Sequence, residues 1–599
     1  MITGNTLRVK FENTNVEMLF ETCLPDRQNK NTYLFRNPIK TIIAYDQASA
    51  EKALENIEKL LQDKYWIAGY LSYELGYGLE KDSFPDKKRY NFPLIEIYAF
   101  RKPVIGKAEE SIIYGKNKYF KAWNIKFNVP FGKYKKNIGK IKHYIEKGDA
   151  YQINYTGKLK FKFSGNPFAF YRNLTKKQPV QYSAFLKLKN KTIISLSPEL
   201  FFSVKNGVIK SKPMKGTMKR GRDLVEDAFK MKELQKSSKN RAENIMITDL
   251  IRNDLGRICK TGSIVTSNIY EVLRYNTLFQ MITTVRGRLK KGVTWKEIFG
   301  SIFPGGSVTG APKIRAMQII RELEREDRKV YCGALGFISP DNNAVFSIPI
   351  RTILLEKNQG EMGIGSGIVY DSGAREEYEE ALLKANFLTE QTEDFKILET
   401  ILWDKVYFLL GRHLKRLEKS AKYFNYKFNM RNTRNVLKKE ADHFINGSKY
   451  KVRLLLNKNG NIEINKSEII PKKILKVKAV ISRQRVDSRN RFLYHKTTRR
   501  RLYESERQKI KGKDIFDVIF LNEREEVTEG AITNLFIFKE GKYYTPPVSS
   551  GLLPGIFREY MIKEKQAVLR VLKLKDLKAA DRVFLVNSVR GIVEVDIIF

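Results

Sequence analysis

Two-thirds of the way along this 599-residue chain the pattern of residues starts over. Between Thr389 and Phe395 an acidic helical stretch gives way to a strand-like run, ILETILW. A basic helical pattern around His413–Phe424 follows, with no Pro- or Gly-rich linker between. About 200 residues remain after the break, enough for a complete domain. The chain is therefore expected to fold around separate cores, 1–392 and 393–599. Before the break, short β-like runs alternate with longer helical patterns, so the expected class is α+β. Tyr65–Tyr73, Lys191–Leu196 and Leu200–Val204 read as strands. Tyr134–Lys147 reads as an amphipathic helix stopped by Gly148, and Glu233–Leu255 as one long helix stopping near Gly256. Pro312–Arg325 reads as another, with Thr309 placed to cap it.

Composition narrows the function classes. Hydrophobic residues make up 42%, which supports burial of a sizeable core. The formal charge is +45. Lys and Arg gain affinity for nucleic acid by releasing phosphate counterions. Here, however, they are spread along the chain rather than gathered in a tail or block. A positive field also attracts a dianionic small substrate. Cys23, Cys259 and Cys332 form no CxxC or metal-ligand spacing and no disulfide framework. The N-terminal residues lack the apolar run of a signal peptide, and no stretch approaches the ~18 apolar residues of a membrane span. The expectation is a cytoplasmic protein with neither a membrane nor a nucleic-acid partner.

Four segments before the break carry unusual chemistry. Ser197-Pro198-Glu199 precedes Lys212-Pro213-Met214-Lys215-Gly216-Thr217, within a stretch rich in basic residues. That stretch is open to reading as a solvated basic hairpin. Yet Gly216 lets backbone approach a ligand, and a lysine among other cations can serve as a nucleophile. In AENIMITDLIRNDL, Glu243 shares a largely apolar helix face with Met246, Ile247 and Leu250, which suits a metal ligand or a buried ion pair. FPGGSVTGAPK is a Gly-rich loop running into a helix N-terminus, a place that favours anions. It lacks the GxxxxGK[ST] pattern of a P-loop, and alone it reads equally well as a plain loop. Finally, GIGSGIV is followed by an acidic helix in which Glu377 and Glu380 are three apart and can face one site, or solvent. Carboxylates from two helices, Glu243 with Glu377 and Glu380, suit Mg²⁺.

The order SPE, PMKGT, AENIMITDLIRNDLGR, GGSVTGAPKIRAMQII, YCGALGF, IPIRT, GIGSGIV and EEYEEALLKA resembles the chorismate-utilising family over roughly residues 60–390. The resemblance implies packed β-sheets flanked by helices, with chorismate as substrate and Mg²⁺ as cofactor. Isochorismate-type members carry a lysine base where this chain has Gln152, and anthranilate-forming members have alanine where it has Lys215. In members that aminate chorismate at C4, the equivalent lysine attacks ring carbon 2 and the equivalent of Glu199 protonates the departing 4-hydroxyl. By the same resemblance Tyr331, Arg351 and Gly367 hold substrate carboxylate, and Ser307 contacts substrate. Gln152 and Gln280 are placed with these substrate-binding residues; Gln280 stands where several relatives have a histidine near the pyruvate-eliminating chemistry, which fits a domain that stops at the aminated product.

Beyond the break stand His495-Lys496-Thr497-Thr498, then VTEG with Glu529, TNLF, and SSGLLPGIFR. Singly these read as a surface lysine and ordinary turns. Together, from about Ile397 to Ile592, they resemble the fold class IV pyridoxal-phosphate enzymes, which implies a two-lobed α/β fold with the cofactor between its lobes. Lys496 would carry the cofactor, Glu529 would face its pyridine nitrogen, and Arg453, Gly555, Ile556, Phe557 and Ser588 would reach its phosphate. Members of that family are usually dimeric, which makes a homodimer through this domain the expectation.

The two resemblances together imply synthesis of 4-aminobenzoate for folate: amination of chorismate, then elimination of pyruvate. A branched-chain or D-amino-acid aminotransferase stands as the alternative for the second domain. No glutaminase motif is present, so ammonia is expected from a separate glutamine amidotransferase subunit.

Overall fold

The computed structural model describes residues 16–25, 29–85, 88–107, 119–389, 394–470 and 477–599. The chain divides into two compact units. The first contains Met1–Met218 and Lys232–Gln391; the second contains Thr392–Phe599 together with Lys219–Met231. The expected break at 392–393 falls on 390–393, outside the described residues.

Among the described residues the first unit holds two ten-stranded sheets. They share a core in which Met18, Phe35, Leu186, Ile193 and Leu354 of one sheet meet Tyr70, Tyr98, Phe100 and Phe337 of the other. The long strand Gln152–Gly165 pairs antiparallel with Gln359–Ile368, setting Asn154 opposite Gly367. Gly310-Ala311 adds to the same edge, with Ala311 opposite Gln152. A Cβ on Gly310 would strike the Gln152 carbonyl, so only glycine lets the loop lie this close.

Most of the expected elements form, with shifted ends. Trp66–Leu71, Lys191–Ser197 and Leu200–Lys205 are strands, and Phe131–Glu146 is a helix ending before Gly148 at φ 80°. The single helix expected over Glu233–Leu255 is instead two. Leu224–Lys236 stops, and Ser238–Gly256 restarts behind Ser237, whose side chain caps Asn240 N. Serine competes with helical hydrogen bonding and favours N-caps, so a Ser-Ser pair breaks the run. Thr309 does not cap the helix Lys313–Leu323. That helix starts on Pro312, and the Thr309 hydroxyl donates back to the Gly305 and Gly306 carbonyls.

The second unit contains a four-stranded and a nine-stranded sheet. In the smaller, Ile397–Asp404 pairs with Tyr450–Leu456. The helix Leu410–Phe424 lies on one face, burying Leu414, Leu417 and Ala421 against Ile397, Val452 and Leu454. In the larger, Asp517–Asn522, Val527–Gly530 and Asn534–Lys539 are consecutive neighbours. No helix among the described residues is long and apolar enough to cross a membrane.

Candidate active sites

In the first unit the site forms where the chain changes sheets. Lys191–Ser197 belongs to one sheet and Leu200–Lys205 to the other, so Ser197-Pro198-Glu199 is a crossing. The return crossing, from Ala344–Ser347 to Thr352–Glu356, carries Arg351. The two run side by side: Ile348 N donates to Glu199 O at 3.2 Å, Ser197 Oγ to Ile348 O at 2.6 Å, and Leu196 N to Arg351 O at 3.2 Å. Arg351 adopts φ 52°, a left-handed conformation uncommon outside glycine, and Nη1 is buried without a hydrogen-bond partner among the described residues. Burial pulls its guanidinium down to about 10. A buried guanidinium nitrogen without a partner is costly, and its chemistry suits a carboxylate.

Glu199 is buried, and burial pushes its carboxyl up to about 7, against the opposing effects of the Ser307 hydroxyl and the Lys215 charge. Ser307 Oγ donates to Glu199 Oε1 at 2.6 Å. Glu199 and Ser307 also line a small cavity with Ile251, Asp254, Ile302 and Ile348. The Ser307 loop is tied down by Arg328, which donates to the Val308 and Asn154 carbonyls and pairs with Glu324.

Lys215 stands in the strand Met214–Lys219, beside Gly216 at φ 88°. Burial lowers its pKa, while Glu243, Glu199 and Glu380 partly restore it. A Cβ on Gly367 would lie 2.5 Å from Gln152 Nε2 and 3.2 Å from Lys215 Nζ, so these three residues converge. Gln152 is buried and its Oε1 has no partner among the described residues. Tyr331 is buried with its ring over Gly363, where any side chain would collide.

Gln280 braces the lysine loop. Its Oε1 accepts from Thr217 Oγ1 and its Nε2 donates to Gly216 O, both at 3.0 Å. Each end of the amide keeps a further hydrogen-bonding capacity, a second N–H and a second lone pair. Glu243 is raised by burial and by the charges of Glu377 and Glu380, so the three carboxylates sense one another. Ser372 holds Glu377 and Lys384 pairs with the exposed Glu380, and no group of three or more His, Cys, Asp or Glu among the described residues forms a closed metal cage. That donor set suits Mg²⁺, which keeps waters and takes substrate oxygens alongside one or two carboxylates.

In the second unit Lys496 lies on a stretch stitched to the first strand of the small sheet. Leu398 N donates to Lys496 O at 2.8 Å, and Thr497 forms a bridge with Ile397. Burial, then Arg500 and Arg416, lower the Lys496 ammonium to about 7. Glu529 is buried and pushed up to about 7, first by burial. It accepts from Tyr503 Oη and Asn534 Nδ2, each at 3.1 Å. Asn534 also reaches Leu553 O at 3.0 Å, which joins the carboxylate to the turn preceding the helix Ile556–Glu564. Ile556, Phe557 and Ser588 are buried near that helix start and the strand Arg582–Asn587.

Arg453 does not join this site. On its strand Val452 and Leu454 are buried and Arg453 is exposed, paired with Thr400 on the face opposite Glu399. The cation brought to the site is Arg416. It donates to Glu399 at 2.8 and 2.7 Å and to Pro554 O at 3.0 Å. Glu399 also takes His413 Nδ1 at 2.7 Å and is held at about 2. The signal was present in RHLKR, where His413 and Arg416 stand three apart on one helix face. Arg558, on the helix Ile556–Glu564, is also buried, with Nε unpartnered among the described residues and its guanidinium lowered to about 10. A partly buried lysine, a buried carboxyl, several arginines and a helix N-terminus fit pyridoxal phosphate.

Comparison with known proteins gives two family matches: a chorismate binding enzyme model over residues 20–390 and an amino-transferase class IV model over 396–598. Aminodeoxychorismate synthase component 1 of Klebsiella aerogenes is 36% identical over 272 residues, 45% of this chain and 60% of that protein. Anthranilate synthase component 1 of Acetivibrio thermocellus is 39% identical over 259 residues, 43% of this chain and 52% of that protein. The chain thus spans about 60% of the length of such curated relatives. Anthranilate synthase component I from Streptococcus pneumoniae superposes with a TM-score of 0.54 at 25% identity, covering 61% of this chain and 94% of that one.

Proposed function

Because the chain belongs to the chorismate binding enzyme family and carries an amino-transferase class IV domain behind it, we propose that it makes 4-aminobenzoate from chorismate in two steps, one in each unit. The observation that carries this reading is a matched pair in each: a lysine lowered by burial beside a buried carboxyl pushed to about 7. Relatives of both aminodeoxychorismate and anthranilate synthase type match at similar identity, so identity alone does not choose between them. Lys215 supports the aminodeoxychorismate reading, because it supplies a nucleophile where the anthranilate-forming pattern has alanine.

In the first unit the neutral Lys215 amine attacks ring carbon 2 of chorismate. The ring double bond shifts, and the C4 hydroxyl leaves as water with the proton of Glu199. Ammonia then bonds to C4, the double bond returns, and Lys215 leaves C2 as the free amine. Glu199 regains its proton from the aminated product or solvent. Dividing one displacement into two is the usual gain of covalent catalysis. Arg351 holds a substrate carboxylate, and Gln280 keeps the lysine loop in register. Magnesium held by Glu243 with Glu377 would neutralise substrate charge. Ammonia would come from a separate glutamine amidotransferase partner.

In the second unit pyridoxal phosphate, held through Lys496, would supply an electron sink for the substrate amine. Glu529 would keep the pyridine nitrogen protonated, and Arg416 with the Gly555–Phe557 amides would hold the phosphate. Lys496 would then take the proton from C4 of the substrate ring and return it to the departing enolpyruvate, leaving an aromatic amine and pyruvate.

The test is to incubate the chain with chorismate, Mg²⁺, ammonium and pyridoxal phosphate and identify the products. One 4-aminobenzoate and one pyruvate per ring is the expected result, and Lys496→Ala should leave aminodeoxychorismate accumulating. Anthranilate or 2-hydroxybenzoate would overturn the assignment of the first unit. Amino transfer to a 2-oxo acid without pyruvate release from the ring would overturn that of the second.

A further inference from the structure

The second unit is not one continuous stretch of sequence. The strand that carries Lys215 ends at Lys219, and from there to Met231 the chain belongs to the second unit before it returns to the first. This arm is built into its host by buried polar contacts. Arg220 donates through Nε to both Asp227 carboxylate oxygens, at 2.9 and 2.8 Å, and both residues are buried. The Arg220 guanidinium lies 4.4 Å from the centre of the Tyr423 ring, and Tyr423 Oη donates to Gly221 O at 2.6 Å. Gly221 N donates to Asp227 at 2.8 Å, closing the turn. Arg222 Nη1 donates to Tyr494 Oη at 2.9 Å.

One contact stands next to the chemistry. His495 precedes Lys496 and is buried, with its ring stacked 4.4 Å from Tyr423. Its Nε2 lies 3.1 Å from the Arg222 carbonyl, which can only accept, so Nε2 carries the hydrogen. Its Nδ1 therefore accepts from Ser420 Oγ at 2.9 Å. Burial pushes the imidazole down to about 4, which keeps it neutral and in that tautomer. The ring is fixed on three sides, one of them supplied by the arm. The neighbouring backbone is fixed by Leu398 N to Lys496 O.

We propose that Lys219–Met231 is a positioning element of the Lys496 site: it holds the His495 imidazole through the Arg222 carbonyl and the Tyr423 stack, and so sets the backbone that presents Lys496. The second activity then depends on residues lying inside the chorismate binding enzyme domain at 20–390. This rests on reading Lys496 as the cofactor lysine.

The experiment uses the full chain loaded with pyridoxal phosphate and two variants. His495→Phe keeps a ring to stack on Tyr423 and removes both hydrogen bonds. The pair Arg220→Met with Asp227→Leu removes the arm's buried ion pair without stranding a charge. The readouts are the visible band of the lysine-bound cofactor with its pH midpoint, the rate of cofactor release, pyruvate formation, and ammonium-dependent consumption of chorismate. Both variants should shift the midpoint by at least about 0.5 pH unit and speed cofactor release about fivefold. They should lower kcat for pyruvate release about tenfold, with KM and chorismate consumption unchanged. An unchanged midpoint and release rate in both variants would overturn the proposal, as would an equal fall in both activities. Lys496→Ala serves as the reference: a band that survives it removes the reading of Lys496 itself, and the arm's role with it.

Discussion

The two sites pair a lysine and a carboxyl in different surroundings. In each the lysine is lowered and the carboxyl raised, and burial is the first cause in all four groups. The neighbours then differ. Lys215 is faced by Glu243, Glu199 and Glu380, whose charges pull its pKa back up. Lys496 is faced first by Arg500 and Arg416, whose charges push it further down, to about 7, against the upward pull of Glu399 and Glu529. On the proposed reading the carboxylates of the first site serve a metal cation and Arg351 a substrate carboxylate, and the arginines of the second serve a phosphate.

That contrast can be broken most directly at the lysines. Lys215→Ala should lower chorismate amination by at least about 10⁴-fold, while pyruvate release from added aminodeoxychorismate and the visible cofactor band stay intact. Loss of both activities would mean that the sites are not independent. Glu199→Gln should cost about 10²–10⁴ in amination. In the parent chain amination should fall as pH rises through about 7, because the active form of Glu199 is protonated. In the variant that limb of the profile should vanish, and a persisting limb would assign it elsewhere.

Arg351→Met tests whether the unpaired cation is kept for substrate. The chorismate Kd should rise by about 10–100-fold, and the melting temperature should increase, since a buried charge without a partner is removed. A fall in melting temperature with Kd unchanged would make Arg351 a structural residue. Gln280→Ala should lower kcat for amination about tenfold by loosening Gly216 and Thr217, with KM little changed; a rise in KM alone would favour the substrate-contact reading. The smallest effect sharpens the second site. Glu529 has its folded pKa above its unfolded value, so its contribution to stability is present below about 4.5 and lost as pH rises through about 7. Glu529→Gln should therefore raise the melting temperature at pH 8 by more than at pH 5.

Much of both sites was legible because the motifs place chemically unusual residues at fixed points. Glu199, Lys215, Ser307, Gly367, Lys496 and Glu529 all stand in motifs that carry the family resemblances, and it is those resemblances that give them their expected roles. Their meeting was not legible, because Glu199 and Arg351 stand on two sheet crossings separated by about 150 residues, and no local period reports that. Arg453 was misjudged because a strand's alternation had to be anchored to a face. Val452 and Leu454 fix that face once the helix Leu410–Phe424 is known to lie on it. That Gln280 braces the lysine loop is not legible either, because a polar side chain looks alike whether its partner is backbone or ligand. The arm was hidden for a further reason: helical periodicity over Leu224–Lys236 says that a helix forms, not which core receives it.

The arm also bears on how such a chain can change over generations. A single exchange of genetic material near codon 392 would deliver the first unit whole but the second without Lys219–Met231. A substitution at Arg220 or Asp227 lies within the coding stretch of one activity and is expressed as a defect in the other. A lineage that kept the second activity alone would first have to rebuild the floor beneath His495.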